Sequence, residues 1–100
     1  IAGHLKTAGV LTLDNGAVNA LRTGGRSLLP IGVIRASGRF ERGEVVECRD
    51  EQGQLVAKGL VNYSLTEALK ILKTPTSGLE QALGMVAEPE MIHRDNLVVL

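Results

Sequence analysis

The sequence is almost devoid of aromatic side chains, with no Trp, one Phe and one Tyr among 100 residues. Proteins that hold single-stranded nucleic acid stack several bases on aromatic rings, and this chain has few residues for that mode of binding. Its eleven basic and eleven acidic side chains balance. A protein whose affinity comes from neutralising phosphates usually carries a basic excess. The chain as a whole therefore does not have the charge of a dedicated nucleic-acid binder.

Cysteine is equally scarce, because Cys48 stands alone. A single cysteine forms no internal disulfide, which fits a reducing compartment, so we expect a cytoplasmic protein. We expect no membrane partner, since no apolar run approaches the ~20 residues that a span requires. With two His and one Cys, no ligand spacing suits zinc. Val45 and Val46 precede Cys48, which predicts a buried and inert thiol on a strand.

Two short motifs match parts of catalytic signatures, but the other residues that each signature requires are missing. His93-Arg94-Asp95 matches the H-R-D of a protein-kinase catalytic loop, but no Gly-rich loop, strand Lys or D-F-G accompanies it. Gly38 and Gly43 have the glycine spacing of a phosphate-binding loop, but Glu44 stands where Lys is required. We predict a turn at each place, and we expect no catalytic residue, no metal site and no cofactor in this chain.

The residues that are abundant, Val, Leu, Ile and Ala, predict a single core with short strands and helices. Val10–Leu13 is typical of a strand, Asp14 or Asn15 can cap a following helix, and Gly24 can end it. Strand patterns begin at Ile31 and recur at Val45–Arg49 and Gln54–Tyr63, and Leu97–Leu100 closes the chain. In Gln54–Tyr63, one face is predicted to hold Leu55, Ala57, Gly59, Val61 and Tyr63.

Two S-x-x-E sequences, Ser64 with Glu67 and Ser77 with Glu80, predict capping boxes at the starts of two short helices. Asp50–Gly53 has turn chemistry, so the strands on either side of it should form a hairpin. The residues predicted to face inward from the two helices are Leu65, Ala68, Leu69 and Leu72, then Leu79, Ala82 and Leu83. Strands and helices do not alternate, which favours a small, partly open barrel over a doubly wound parallel sheet.

The segment Gly24–Gly32 is the most unusual stretch of the sequence. Paired glycines let a ligand approach the backbone, and Arg26 could add a phosphate contact. Five Arg and one acid between residues 22 and 42 favour a local basic patch. The alternative is a helix end followed by a loop whose Leu28 and Leu29 plug the barrel end, because a tight helix-to-strand turn already demands glycine.

Several ordered segments carry a resemblance to a known family. They read GVLTLDNGA (Gly9–Ala17), SLLPIGV (Ser27–Val33), GRFERGE (Gly38–Glu44), GLVNYS (Gly59–Ser64) and IHRDNL (Ile92–Leu97). Together they resemble the C-terminal PUA domain of bacterial glutamate 5-kinases over nearly the whole chain. Two positions depart from that family: Lys73 stands where Gly is usual, and Gly78 where a polar residue is commoner.

The resemblance implies a mainly β, PUA-like pseudobarrel with one helix after the first strand and two short helices before the last. It implies that residues 1–8 link to an absent N-terminal amino-acid-kinase domain and that residues 9–100 form the PUA domain. It implies a parent enzyme that uses ATP and Mg²⁺ to convert L-glutamate to L-glutamyl 5-phosphate, the proline-inhibited first step of proline biosynthesis. No catalytic residue of that enzyme falls in this chain.

Two functions remain open for the domain. One is a structural or regulatory module that packs against the kinase domain and binds no nucleic acid. The other is an RNA-binding module, because PUA domains of RNA-modifying proteins use the glycine loop and the strand beside it to contact structured RNA. Carried over by resemblance, that candidate site consists of Gly24, Gly25, Arg26, Ser27, Leu29, Gly32 and Arg35.

Overall fold

The computed structural model describes residues 7–100, which form one mixed five-stranded sheet with three helices. This confirms the predicted class: mainly β, one helix after the first strand and two before the last. Short 3₁₀ turns lie at Pro30–Gly32, Thr76–Gly78 and Arg94–Asn96. In chain order the elements are β1 (Gly9–Leu13), α1 (Asn15–Arg22), β2 (Val33–Gly38), β3 (Val45–Arg49), β4 (Leu55–Leu60), α2 (Leu65–Lys70), α3 (Leu79–Leu83) and β5 (Leu97–Val99).

The sheet order is β2-β1-β3-β4-β5, so the first strand lies at the second position rather than at an edge. β1 runs parallel to β3 and antiparallel to β2, and β3 and β4 form the predicted antiparallel hairpin around Gly53. The register places Leu11 opposite Cys48, and Cys48 opposite Ala57, on the buried face. Cys48 therefore lies in the core, as its neighbours predicted.

α1 begins and ends where the sequence indicated. The Oδ1 of Asp14 accepts a hydrogen bond from the amide of Ala17 at 2.7 Å, which satisfies one of the amides at the helix start. Thr23 is the C-cap, and Gly24 follows with a φ of +93°. Val18 and Leu21 carry the helix onto the core. The helix thereby brings the glycine-rich segment to the protein surface.

Two predicted strands are shorter than expected. Pro30–Gly32 forms a 3₁₀ turn, so β2 begins at Val33 and not at Ile31, whose side chain is exposed. β4 ends at Leu60, and the next residues pair elsewhere: the amide of Asn62 donates to the carbonyl of Met91. Of the face predicted for this strand, Leu55 is half-buried and the other four residues are buried.

The prediction of a capping box at Ser77 is wrong. Pro75 starts a 3₁₀ turn that contains Ser77, so α3 begins only at Leu79 and has no side-chain cap. Ser64 forms both bonds of its capping box with Glu67. Of the residues predicted to face inward, Leu69 and Ala82 are exposed, Ala68 and Leu79 are buried, and Leu65, Leu72 and Leu83 are half-buried. Within residues 7–100, no helix is long and apolar enough to cross a membrane.

Candidate functional site

The glycine-rich segment lies exposed between α1 and β2. Gly24 and Gly25 have φ angles of +93° and +71°, a conformation that costs other residues roughly 1–2 kcal/mol each. A Cβ added at either position would have no atom within 4 Å. The two glycines are therefore required by backbone conformation, and they leave open space above the loop.

A seam of hydrogen bonds joins this loop to the segment before β5. Leu28 and Ile92 form an isolated antiparallel bridge, with the amide of Leu28 donating to the carbonyl of Ile92 at 2.9 Å. The amide of Arg94 donates to the Oγ of Ser27 at 2.9 Å, and the Arg94 Nη1 reaches the carbonyl of Gly25 at 3.4 Å. The His-Arg-Asp motif is thus a turn, as predicted, in which Asp95 contacts His93 locally and Arg94 contacts the distant glycine loop.

A shallow cup of about 430 Å³ opens at this seam. Arg26 and Leu29 come from the loop, while His93 and Arg94 come from the distant turn. The Arg26 and Arg94 side chains place two positive charges here. The complete lining is Gly25, Arg26, Ser27, Leu29, His93 and Arg94.

A larger cleft of about 500 Å³ lies on the α1 side of the same loop. Leu29 and Ile31 are exposed there, and one end is bordered by an ion pair between Lys73 Nζ and Asp14 Oδ2 at 3.2 Å. The Ala17 amide and the Lys73 ammonium hold the pKa of Asp14 below its ordinary value. The rest of the lining is Gly16, Ala17, Ala20, Leu21, Arg26, Ser27, Leu28 and Gly32.

The residues carried over by resemblance do not all lie at the cup. Gly25, Arg26, Ser27 and Leu29 line the cup, whereas Gly24 lies beside it. Gly32 is buried, and a Cβ there would lie 2.5 Å from the Cβ of Ala17, so close packing against α1 explains this glycine.

Arg35 lies apart from both hollows. It sits on the exposed face of β2, opposite Thr12 of β1, and lines neither the cup nor the cleft. Leu28 is buried and Leu29 is exposed, so the proposed plug consists of Leu28 alone. The contribution of His93 and Arg94 was missed, because it depends on a pairing between residues more than 60 positions apart in sequence.

The described part of the chain contains no group of three or more His, Cys, Asp or Glu side chains placed to hold a metal ion. Burial raises the pKa of the Cys48 thiol to about 12. A thiol of that pKa is protonated at neutral pH and is a poor nucleophile. Around the glycine loop the surface offers the positive charge of Arg26 and Arg94 and the open backbone of Gly24 and Gly25.

The PUA domain family model matches residues 9–82. The whole chain is 58% identical to part of a glutamate 5-kinase of Stutzerimonas stutzeri and 57% identical to part of one of Marinomonas sp.. It spans 27% of the length of each of these two relatives, in their C-terminal portion.

Solved structures share the fold. A PUA domain from Aeropyrum pernix K1, crystallised with tartrate, is 25% identical over 87% of this chain and 43% of its own, with a TM-score of 0.61. The archaeal box H/ACA sRNP Nop10–Cbf5 complex contains a chain that is 21% identical, covers 88% of this chain and 26% of its own, and gives a TM-score of 0.57. Because the family match covers three quarters of the sequence and the neighbours share its architecture, the chain belongs to the PUA domain family.

Proposed function

We propose that this domain is the non-catalytic C-terminal domain of a cytoplasmic glutamate 5-kinase. The observation that carries the proposal is 58% identity over all 100 residues to the C-terminal portion of such an enzyme. The parent would transfer the γ-phosphate of ATP to the side-chain carboxylate of L-glutamate, giving L-glutamyl 5-phosphate. ATP, Mg²⁺ and glutamate would bind to the N-terminal amino-acid-kinase domain, and this domain would modulate that neighbour through packing.

The proposed boundary places a linker at residues 1–8 and the PUA domain at residues 9–100. Residues 1–6 lie outside the described part of the chain. Ala8 already contacts the sheet, since its amide donates to the carbonyl of Val45 at 2.8 Å and its carbonyl accepts from the amide of Arg39 at 3.0 Å. A linker fixed at this point would enter next to the β2–β3 connection, which makes that end of the sheet the proposed face for the kinase domain.

A domain exchange tests the proposal. Residues 1–100 would replace the matching C-terminal segment of the Stutzerimonas stutzeri enzyme, and glutamyl phosphate formation would be measured with and without proline. We expect turnover and proline inhibition to equal those of the intact relative, and to differ from those of a relative that lacks the segment. If the truncated relative behaves like the intact one in both assays, the modulatory role is wrong.

A matched control for the exchange uses Gly9→Val. A Cβ at Gly9 would lie 2.5 Å from both the Phe40 ring and the carbonyl oxygen of Ser37, so this variant cannot pack β1 against β2. The exchange protein carrying it should behave like the truncated relative. An exchange protein that is inactive even with the unmodified segment would contradict the assignment to this enzyme.

A second function, RNA binding, is favoured by the exposed glycine loop and the side chain beside it. Arg26 is exposed and forms no hydrogen bond or ion pair with any residue of the described chain. An unpaired guanidinium next to open backbone is suited to a phosphodiester. Titration of fluorescently labelled structured RNA with this chain at low salt tests the function, and the absence of any anisotropy change there would exclude it.

A further inference from the structure

The outer face of the sheet carries apolar side chains on four strands. The register aligns the buried residues Leu11, Cys48 and Ala57 across β1, β3 and β4. Side chains alternate between the two faces of a strand, so the residues at the intervening positions face away from the core. Four apolar residues at such positions are called the outer patch: Val10 on β1, Val45 on β3, Leu60 on β4 and Val98 on β5.

The residues of the outer patch are contiguous. Val45 lies directly opposite Leu60 in the β3–β4 pair. Val10 pairs with the residue two positions after Val45, and Val98 pairs with the residue two positions before Leu60, so both are diagonal neighbours within reach of these side chains. Leu60 and Val98 are 40% and 62% exposed, and Val10 and Val45 are half-buried. A contiguous apolar surface, unlike a single exposed apolar residue, marks an interaction site.

We propose that the outer patch docks the amino-acid-kinase domain that the proposed parent enzyme has before this segment, an inference that rests on the first proposed function. The matching segment is C-terminal and makes up 27% of the length of the relatives, so most of a relative's chain precedes it. The chain enters the sheet beside the patch, because the amide of Ala8 donates to the carbonyl of Val45 at 2.8 Å and Val10 follows two residues later. A domain attached through residues 1–6 is therefore tethered next to the outer patch.

The charged residues on the same face suit an interface within one chain. Glu47 and Lys58 lie directly opposite each other, between Val10 and Val98, and Glu47 also pairs with Arg49 at 2.8 Å. Interfaces between domains of one chain are more polar than those of obligate dimers. A short tether raises the effective concentration of the partner to the millimolar range, so a mixed surface suffices for the tethered domain. A second copy of the chain would have no such tether.

The test uses the exchange protein, in which residues 1–100 replace the matching segment of the Stutzerimonas stutzeri enzyme. Leu60→Cys places a thiol in the outer patch, and Leu69→Cys places one on α2 at a similar exposure, 40% against 51%. Peptide mass spectrometry follows alkylation at each position and separates it from that of other cysteines. We expect Leu60→Cys to be alkylated about tenfold more slowly than Leu69→Cys, as for a docked state populated about ten to one. Val98→Arg should remove this difference, because docking would bury an unpaired guanidinium.

Val86→Arg is the matched control, since Val86 is 85% exposed and lies outside the outer patch, and it should leave the slow alkylation unchanged. Urea midpoints of both Arg variants check that the fold is intact. Slow alkylation that Val98→Arg relieves supports the docking, and loss of proline inhibition in the same protein would contradict only the modulatory role. Equal rates for the two Cys variants overturn the docking, and if that protein is active and inhibited by proline, the assignment to this enzyme stands. Slow alkylation that Val98→Arg does not relieve, or that disappears on dilution as for a second copy, also overturns it.

Discussion

At the scale of single residues, Cys48 shows how burial controls chemistry. The side chain is fully buried on β3, and burial raises the pKa of its thiol to about 12. Because the thiolate is the reactive form, native protein should react slowly with a thiol reagent at pH 8 and denatured protein should react rapidly. As a control, Cys48→Ala combined with Ser37→Cys places a thiol on the exposed part of β2 and should react rapidly in both states. Equal rates for native and denatured protein would mean that the strand register is wrong by one residue.

Lys73 is the one non-glycine residue with a positive φ in the described chain, at +58°. Its amide donates to the carbonyl of Val33 at 3.0 Å, which fixes this conformation, and its ammonium pairs with Asp14. The left-handed conformation costs a side-chain-bearing residue roughly 1–2 kcal/mol, whereas an exposed ion pair is worth about 0–1 kcal/mol. The position suits glycine, the residue that the resembling family usually has here.

Two substitutions separate these effects at Lys73. Lys73→Ala removes the ion pair and keeps the strain, so it should lower the free energy of unfolding by less than about 1 kcal/mol. Lys73→Gly removes both and should be more stable than Lys73→Ala by about 1 kcal/mol. Urea denaturation measures both differences. If the two variants have equal stability, the amide bond to Val33 does not impose the conformation.

At the scale of elements, the two S-x-x-E sequences should respond differently to the same substitution. The Oγ of Ser64 accepts from the amide of Glu67 at 3.2 Å, so Ser64→Ala should cost about 0.5–2 kcal/mol of unfolding free energy. Ser77 makes no cap bond, and Ser77→Ala should change stability by less than about 0.5 kcal/mol. Denaturant titrations of the two variants check the order. A larger effect at Ser77 would contradict the start of α3 at Leu79.

The same pair shows where sequence reasoning fails. Both motifs have identical spacing, but Pro75 begins a turn just before the second one, and Ser77 lies inside that turn. The motif records only local preference, while the start of the helix also depends on where Leu79 reaches the core. The same dependence on local preference explains why the start of α1 was predicted correctly, because the cap at Asp14 is a contact between residues three positions apart.

The ion pair between Arg42 and Glu67 joins the β2–β3 connection to α2. Two hydrogen bonds of 2.9 and 2.6 Å and the positive charge of Arg42 lower the pKa of Glu67 from 4.5 to about 2. A carboxylate whose pKa is lower in the folded state stabilises that state fully above the unfolded pKa. This contribution should therefore be complete above pH 4.5 and fall as the pH drops towards 2.

Arg42→Gln tests this pH window. At pH 6 the variant should unfold at a lower urea concentration than the unmodified chain, and at pH 2.5 the gap between the two midpoints should shrink. Arg39→Gln, also on this connection and without an ion-pair partner in the described residues, should show a small gap at both pH values. A gap for Arg42→Gln that is constant from pH 6 to pH 2.5 would show that the pair does not set the pKa of Glu67.

At the scale of the whole molecule, the element order, the β3–β4 hairpin and the closing strand followed from the sequence pattern. The candidate site could be predicted from the sequence only in part. Its glycines have a local cause, the left-handed backbone at Gly24 and Gly25, and a sequence can record that. Its second half, His93 and Arg94, arrives through the bridge between Leu28 and Ile92, and periodicity carries no information about such a long-range pairing.

The zero net charge of the molecule should keep the affinity of any RNA binding low. With no basic excess and few aromatic rings, affinity would come from about two or three phosphate contacts at the cup, so the slope of log affinity against log salt should be about −2 to −3. Arg26→Ala should reduce the magnitude of that slope by about one. Measurements of fluorescence anisotropy with structured RNA at several salt concentrations give these slopes. A slope that Arg26→Ala leaves unchanged would place the contact surface elsewhere on the molecule.

A substitution in the glycine loop gives the most direct test of RNA binding at this surface. Gly25→Val puts a β-branched residue at a φ of +71°, which forces the loop to move and displaces the carbonyl that holds Arg94. Any RNA binding at this loop should then be lost while the fold survives, because a side chain at this position meets no other atom. Gly43→Val is the matched control: it has a comparable φ of +87° in open space on the β2–β3 connection, so it should cost similar stability and leave binding intact. Equal loss of binding in both variants would trace the effect to stability, and tight binding by Gly25→Val would show that RNA does not use this loop.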